Sequence, residues 1–237
     1  MRGSPPFEPP AIAADRESKF TLPAGRIPLA RRWLDVVCRP DPDHPAADVW
    51  TLYYDTQRFS ALGEKIDSDY LKLKVRVRWY SEPGRPASGP VFVEAKLRAG
   101  TLRSKVRVEA PLDAAEMARR DLQDSRLVEL PLLLRAHGIM LRAAWFPLLV
   151  VRYRRDRFVE PTGSVRLNLD SGITAAAVNR QRISATNLRP IDRGVLELKG
   201  GSSELTGPLK PLLHLGLRKE SFSKLLAVYS GVTRRLP

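Results

Sequence analysis

Cysteine is nearly absent from this 237-residue chain. Cys38 stands alone, which excludes an intrachain disulfide framework and a thiolate metal cluster. Histidine is almost as scarce. His44, His137 and His214 are far apart and none has metal-ligand spacing, so each reads as a surface or structural residue. No apolar run is long enough to span a bilayer, and the most apolar region, Ile139 to Val151, is interrupted by Arg142. The opening Met1-Arg2-Gly3-Ser4 lacks the apolar core of a secretory signal. Glycine-rich phosphate loops and kinase signatures are missing, so a nucleotide would have to be held through its phosphates. Acidic residues are outnumbered, 26 against 40 Lys and Arg, which leaves a formal charge of +14. The expectation is a soluble, cytoplasmic protein with a polyanionic partner: nucleic acid, anionic lipid or a phosphate-rich small molecule.

The basic charge follows a pattern. In Lys72-Leu73-Lys74-Val75-Arg76-Val77-Arg78-Trp79-Tyr80, charged and apolar residues alternate, as in a strand whose successive side chains point to opposite faces. Lys72, Lys74, Arg76 and Arg78 share one face; Leu73, Val75, Val77 and Trp79 share the other. The same period puts Glu94, Lys96 and Arg98 together, and then Arg103, Lys105 and Arg107. From Lys72 to Arg107 there are ten Lys and Arg and two Glu. Charge of one sign on neighbouring strands repels itself unless a polyanion lies on it. The alternative is a solvated outer face of an antiparallel sheet, although such faces usually mix signs.

Around this core the chain divides simply. Residues 1–15, with Pro5, Pro6, Pro9 and Pro10, read as a flexible tail, and 16–237 as a single domain. Glu17 to Leu22 is a short strand with Glu17 and Lys19 on one face. Pro28 opens a helix with the stripe Ala30, Trp33, Leu34 and Val37, which Pro40 and Pro42 stop. Val49 to Thr56 is rich in aromatic and β-branched residues, as strands are. Asp113 caps a helix, with Glu116 reaching back, and the Leu-rich run 127–134, broken by Pro131, forms a second helix covering the sheet. Strands follow at Leu148–Phe158, Ser164–Asp170 and Gly194–Lys199. They place Tyr153 with Arg155, then Arg166 with Asn168 and Asp170, then Val195 with Glu197 and Lys199. A last helix carries the stripe Phe222, Leu225, Leu226 and Tyr229, with Ser223 and Lys224 in its first turn and Gly231 placed to end it. The expected fold is mainly β (α+β): a closed eight-stranded antiparallel barrel, basic face inward, with covering helices and a C-terminal helix.

Several runs resemble the VTC domain, the polyphosphate-polymerase branch of the triphosphate tunnel metalloenzyme superfamily. They are Leu52-Tyr53-Tyr54-Asp55-Thr56, Val75 to Tyr80, Val91 to Lys96, Val165 to Asp170, Val195 to Lys199 and Ser221-Phe222-Ser223-Lys224, in order along nearly the whole chain. The resemblance implies an eight-stranded barrel whose lumen binds triphosphate. It implies phosphate binding by Lys19, Arg76, Arg78, Lys96, Lys105, Arg155, Arg166, Ser223 and Lys224, with Tyr153 at a further matching position. Arg76, Arg78, Lys96 and Lys224 would act in catalysis, and Glu197 would bind a divalent metal, manganese first and magnesium as the alternative. Some relatives carry Lys-Phe-Ser-Lys where this chain has Ser221-Phe222-Ser223-Lys224, so one cation is missing there or supplied from elsewhere. Of the early Glu-x-Glu-x-Lys motif of superfamily relatives, Glu17 and Lys19 remain, with Asp15 in the first place.

The residue types suit phosphoryl transfer, which needs positioning and charge neutralisation more than a protein nucleophile. Arg presents a planar fork to two phosphate oxygens, Lys a movable point charge, and a carboxylate with waters can hold a hard cation. The implied function is metal-dependent transfer of the terminal phosphoryl group of ATP onto a growing inorganic polyphosphate. The alternatives are a triphosphatase using the same site and a polyphosphate-binding module without turnover. Nucleic acid is not the expected partner, because Trp79 alternates away from Arg76 and Arg78. Export of product would require a membrane partner.

Overall fold

A computed structural model of the chain describes residues 17–67, 69–100, 102–162, 165–184, 188–200, 204–205 and 207–233. The expected tail, Asp15 and Ser164 lie outside these. The elements are β1 (Glu17–Pro23), α1 (Ile27–Val37), β2 (Arg39–Pro40), β3 (Ala46–Thr56), α2 (Ser60–Ile66), β4 (Leu71–Ser81), β5 (Pro90–Ala99) and β6 (Leu102–Asp113). After them come α3 (Ala114–Arg119), α4 (Ser125–Glu129), β7 (Trp145–Val159), β8 (Val165–Val178), β9 (Arg193–Gly200), β10 (Arg218–Lys219) and α5 (Lys224–Thr233). The strands form one antiparallel sheet in the order β10-β1-β9-β8-β7-β3-β4-β5-β6, with β2 also on β7.

Two features correct the expected barrel. The sheet has ten strands, because the two-residue strands β2 and β10 join the eight longer ones. It is also not closed: β6 and β10 end the hydrogen-bonded order, and no pairing joins them among the described residues. The sheet nevertheless curls. Lys96 of β5 lies within electrostatic reach of Glu17 of β1, and Lys74 of β4 hydrogen-bonds Ser223 beside α5.

Alternation decides what lies on each face. On the convex side, Leu52, Tyr54, Val75, Val77, Trp79, Val91, Val93 and Ala95 meet Met117, Leu127, Leu130 and Leu134 from α3, α4 and the 3-10 turns after α4. Tyr54 donates to the Leu127 carbonyl at 2.7 Å, and Trp79 stacks on Trp50. A second convex core joins Phe20, Leu22, Leu167, Leu169, Leu196 and Leu198 to Ala30 and Leu34 of α1 and to Leu209 and Leu212. The third core lies on the concave side, where Leu149, Val151, Tyr153, Ile173 and Val195 meet Leu62 of α2 and Leu225 and Val228 of α5. The C-terminal helix therefore packs inside the curl, over the middle strands.

Smaller expectations also shift. Asp113 accepts from the Glu116 N–H at 2.7 Å, but the Glu116 side chain pairs with Arg120 instead of reaching back. Gly231 lies within α5, which runs on to Thr233. No helix among the described residues is long and apolar enough to cross a membrane.

Candidate functional site

Two charge clusters occupy the concave face. The first is built by strand register: β4–β5 pairing sets Arg76 opposite Glu94 and Lys74 opposite Lys96, and β5–β6 pairing adds Arg107 and Lys105. Glu94 is fully buried at its centre. Its Oε2 accepts from Arg76 Nη2 at 2.5 Å and Nε at 2.7 Å, with Arg78 Nη1 at 4.0 Å. Its Oε1 accepts from Arg107 at 2.7 Å and Lys105 Nζ at 2.9 Å. Burial would raise the Glu94 pKa, but Arg76, Arg78 and Lys105 hold it far below the usual carboxylate range. Four cations thus share one carboxylate, and Arg78 also donates to Thr51 Oγ1 at 3.2 Å.

Lys96 and Lys74 add charge with no ion-pair partner among the described residues. Burial first, then neighbouring cations led by Arg76, pushes the Lys96 ammonium down to about 7. Burial and then Lys19, Lys65 and Arg76 push Lys74 down to about 8. Burial is the larger cause of both shifts, and the neighbouring cations act in the same direction.

The second cluster is balanced. Asp170 of β8 and Glu197 of β9, both buried, face Arg155 of β7 and Lys224 of α5. Arg155 forks onto Asp170 at 2.6 and 2.7 Å and reaches Glu197 Oε2 at 2.8 Å. Lys224 Nζ meets Asp170 at 2.5 Å and Glu197 Oε1 at 3.0 Å. Both cations also lie over the buried Tyr153 ring. Burial would raise the Glu197 pKa; Lys224, Arg155 and Lys19 bring it well below the ordinary value.

Lys19 of β1 bridges to Glu197 at 3.8 Å and Glu17 at 3.4 Å. Ser223 precedes α5, and its Oγ accepts from the Leu226 N–H at 3.4 Å and from Lys74 at 3.3 Å. Arg166 lies on the same strand face as Asn168 and Asp170 but is exposed near the end of β8, opposite Lys199. The fold therefore gathers Arg76, Arg78, Lys96 and Lys105 in one cluster. Lys19, Tyr153, Arg155, Glu197 and Lys224 lie in the other, with Ser223 adjoining and Arg166 peripheral.

Sequence reading assigned no role to Glu94, Asp170 or Arg107, although period 2 places each on the charged face. Lys65, which donates to Ser221 Oγ at 2.8 Å, carried no signal at all. Its contact joins residues 156 positions apart.

The donor set fits a divalent cation in a limited way. No group of three His, Cys, Asp or Glu among the described residues could hold one alone. Glu17 and Glu197 do converge on the Lys19 ammonium, so two hard oxygen donors face one cationic position, and phosphate oxygens with water would complete a shell.

Comparison with known proteins agrees with this architecture. No curated protein matches the chain. Among solved structures, the Hippeastrum protein HpAC1, an adenylyl cyclase by assignment and described as having a dominant triphosphatase activity, superposes with a TM-score of 0.52 at 16% identity. The match covers 92% of this chain and 96% of that one, and shows a shared fold. An adenylate cyclase by assignment from Bacillus halodurans gives a TM-score of 0.49 at 13% identity, over 88% and 93% of the two chains. The VTC domain family matches residues 15–230, nearly all of the sequence that builds the curled sheet and both clusters, and the chain belongs to that family.

Proposed function

We propose that the concave face works as a phosphate tunnel, in which the terminal phosphoryl group of ATP is transferred onto a growing inorganic polyphosphate. The observation that carries this reading is the surplus of cations around Glu94: four basic side chains share one carboxylate, and Lys74 and Lys96 beside them form no ion pair among the described residues. Membership in the VTC domain family supports the acceptor assignment.

In this reading Arg76 and Arg78 present their forks to phosphate oxygens, and Lys96 and Lys105 neutralise the charge that shifts as the bridging bond breaks. Glu94 holds the forks in place beforehand, so little reorganisation is left for the reaction. Arg155 and Lys224 act chiefly by holding Asp170 and Glu197, and Lys224 gives up part of its pairing when substrate arrives. Tyr153 supplies the ring beneath both. Ser223 and Arg166 contact the chain near the ends of the face. Manganese, or magnesium, would be held by Glu17 and Glu197, freeing Lys19 for phosphate; bound there, it would neutralise phosphate oxygens.

A triphosphatase is the second reading, favoured by the fold shared with the Hippeastrum protein and its triphosphatase activity. One assay separates the two: incubate the purified protein with ATP and manganese, stain a gel for long polyphosphate, and measure free orthophosphate. Polymer supports transfer to phosphate; orthophosphate alone means water is the acceptor. Neither product, with triphosphate still bound, leaves a binding module.

A further inference from the structure

Three ammonium groups from three elements meet the segment that leads into α5. Lys65 of α2 donates to Ser221 Oγ at 2.8 Å, Lys19 of β1 to the Phe222 carbonyl at 3.5 Å, and Lys74 of β4 to Ser223 Oγ at 3.3 Å. Lys19 has Glu17 and Glu197 within 4 Å. Lys65 and Lys74 have no carboxylate at ion-pair distance among the described residues, and a serine hydroxyl does not neutralise an ammonium. Burial, then Lys72, Lys19 and Arg98, lowers the Lys65 pKa, and burial, then Lys19 and Lys65, lowers that of Lys74.

Lys65 is also held in place. Asp55 accepts from the Ala61 and Leu62 N–H groups at 2.9 and 3.1 Å, fixing the start of α2. Glu64 accepts from the Leu73 N–H at 2.8 Å, tying the end of α2 to β4, and Leu62 is buried against α5. Such anchoring presents a half-buried lysine toward other lysines, an arrangement that repels itself until an anion enters.

We propose that Lys65 and Lys74, seated on Ser221 and Ser223, form a further phosphate subsite. It takes a unit of a condensed phosphate chain lying beyond the triphosphate held at Arg76 and Arg78, and so rests on the reading of the concave face given above. Lys74 and Arg78 are four residues apart, roughly 13 Å along an extended strand. That is longer than three phosphates joined through two bridging oxygens. Side chains can shorten that span, as Arg76 and Arg78 do in reaching one Glu94 oxygen, but a longer chain covers it with phosphate at both ends, and the subsite favours length.

The test is calorimetric titration, at fixed salt, with tripolyphosphate and with long-chain inorganic polyphosphate. Lys65→Met, and separately Lys74→Met, should weaken the long chain at least about tenfold, the low end for a charge-assisted contact. Tripolyphosphate affinity should change far less, and melting temperature should stay near wild type for Lys65→Met. Ser221→Lys added to Lys65→Met should restore long-chain binding, because it returns an ammonium to the same seat. Equal losses for both ligands, or no loss for either, overturn the subsite while leaving the concave face as the triphosphate site. If wild type binds neither ligand, that broader reading fails and the subsite with it.

Discussion

The two clusters of the concave face use the same residue types to opposite ends. Around Glu94, Arg76, Arg78, Lys105 and Arg107 converge on a single carboxylate, so positive charge remains after every pairing is made. Around Asp170 and Glu197, two buried carboxylates meet Arg155 and Lys224, with Lys19 shared by Glu197 and Glu17, and charge cancels. A polyanion gains where the surplus is; a buried, balanced network instead gives a fixed geometry whose members cannot be removed singly. The difference follows from position in the sheet. The first cluster sits on β4–β6, towards the opposite end of the sheet from the strands that α5 packs on. The second sits beside α5, whose apolar residues fill the adjoining surface and leave no room for unpaired charge.

The largest expected effect comes from removing the carboxylate at the centre of the surplus. Glu94→Gln leaves the buried Arg78 and the part-buried Arg76 beside a neutral amide, at a cost of about 3–5 kcal/mol. For a domain of this size that is roughly 6–20 °C in melting temperature. Tripolyphosphate should recover more of this loss in Glu94→Gln than it adds to wild type, because the anion replaces the missing countercharge. A thermal melt with and without ligand checks it; equal increments in both proteins would mean phosphate does not bind at this cluster.

Next are substitutions that set one cluster against the other. Arg76→Ala and Arg78→Ala should each weaken tripolyphosphate binding by about 1.5–3 kcal/mol, read by calorimetry at fixed salt. Lys224→Ala should change that affinity less while lowering melting temperature and turnover more, because it unbalances Asp170 and Glu197. Should Lys224→Ala instead lose affinity as steeply as the arginine variants, the distinction between the clusters is wrong.

The smallest effect is in protons. Lys96 and Lys74 titrate near 7 and 8 in the folded protein, against 10.5 ordinarily. Below about pH 7 both folded and unfolded chains carry these protons, so the folded state bears the full repulsion. Between those values and 10.5 the unfolded chain keeps protons that the folded one has lost, and stability from these groups rises with pH. Bound phosphate favours the ammonium forms, so binding near pH 8 should take up protons and affinity should fall as pH rises through this range. Calorimetry in two buffers of different ionisation heat measures the uptake. It should shrink in Lys96→Met, and an unchanged uptake would remove Lys96 from the effect.

By itself the sequence determined which side chains share a face. The alternation along Lys72 to Trp79, Val91 to Arg98 and Val195 to Lys199 held in every strand, because period 2 is a local property of the extended backbone. It also marked α1 and α5 as apolar-striped helices. Tertiary structure decided the rest. An apolar stripe says that α5 is buried but not against which side of a sheet, and its concave seat depends on the curl of strands far apart in sequence. Whether the sheet closes depends on the twist accumulated over all its strands and on the short edge strand β10, neither of which any single run encodes. Glu94 read as one of two acids in a basic stretch, and only the register of β4, β5 and β6 made it the partner of four cations. Lys65 reached Ser221 because α2 and the segment before α5 pack together. That contact spans most of the chain, and local pattern carries no information about it.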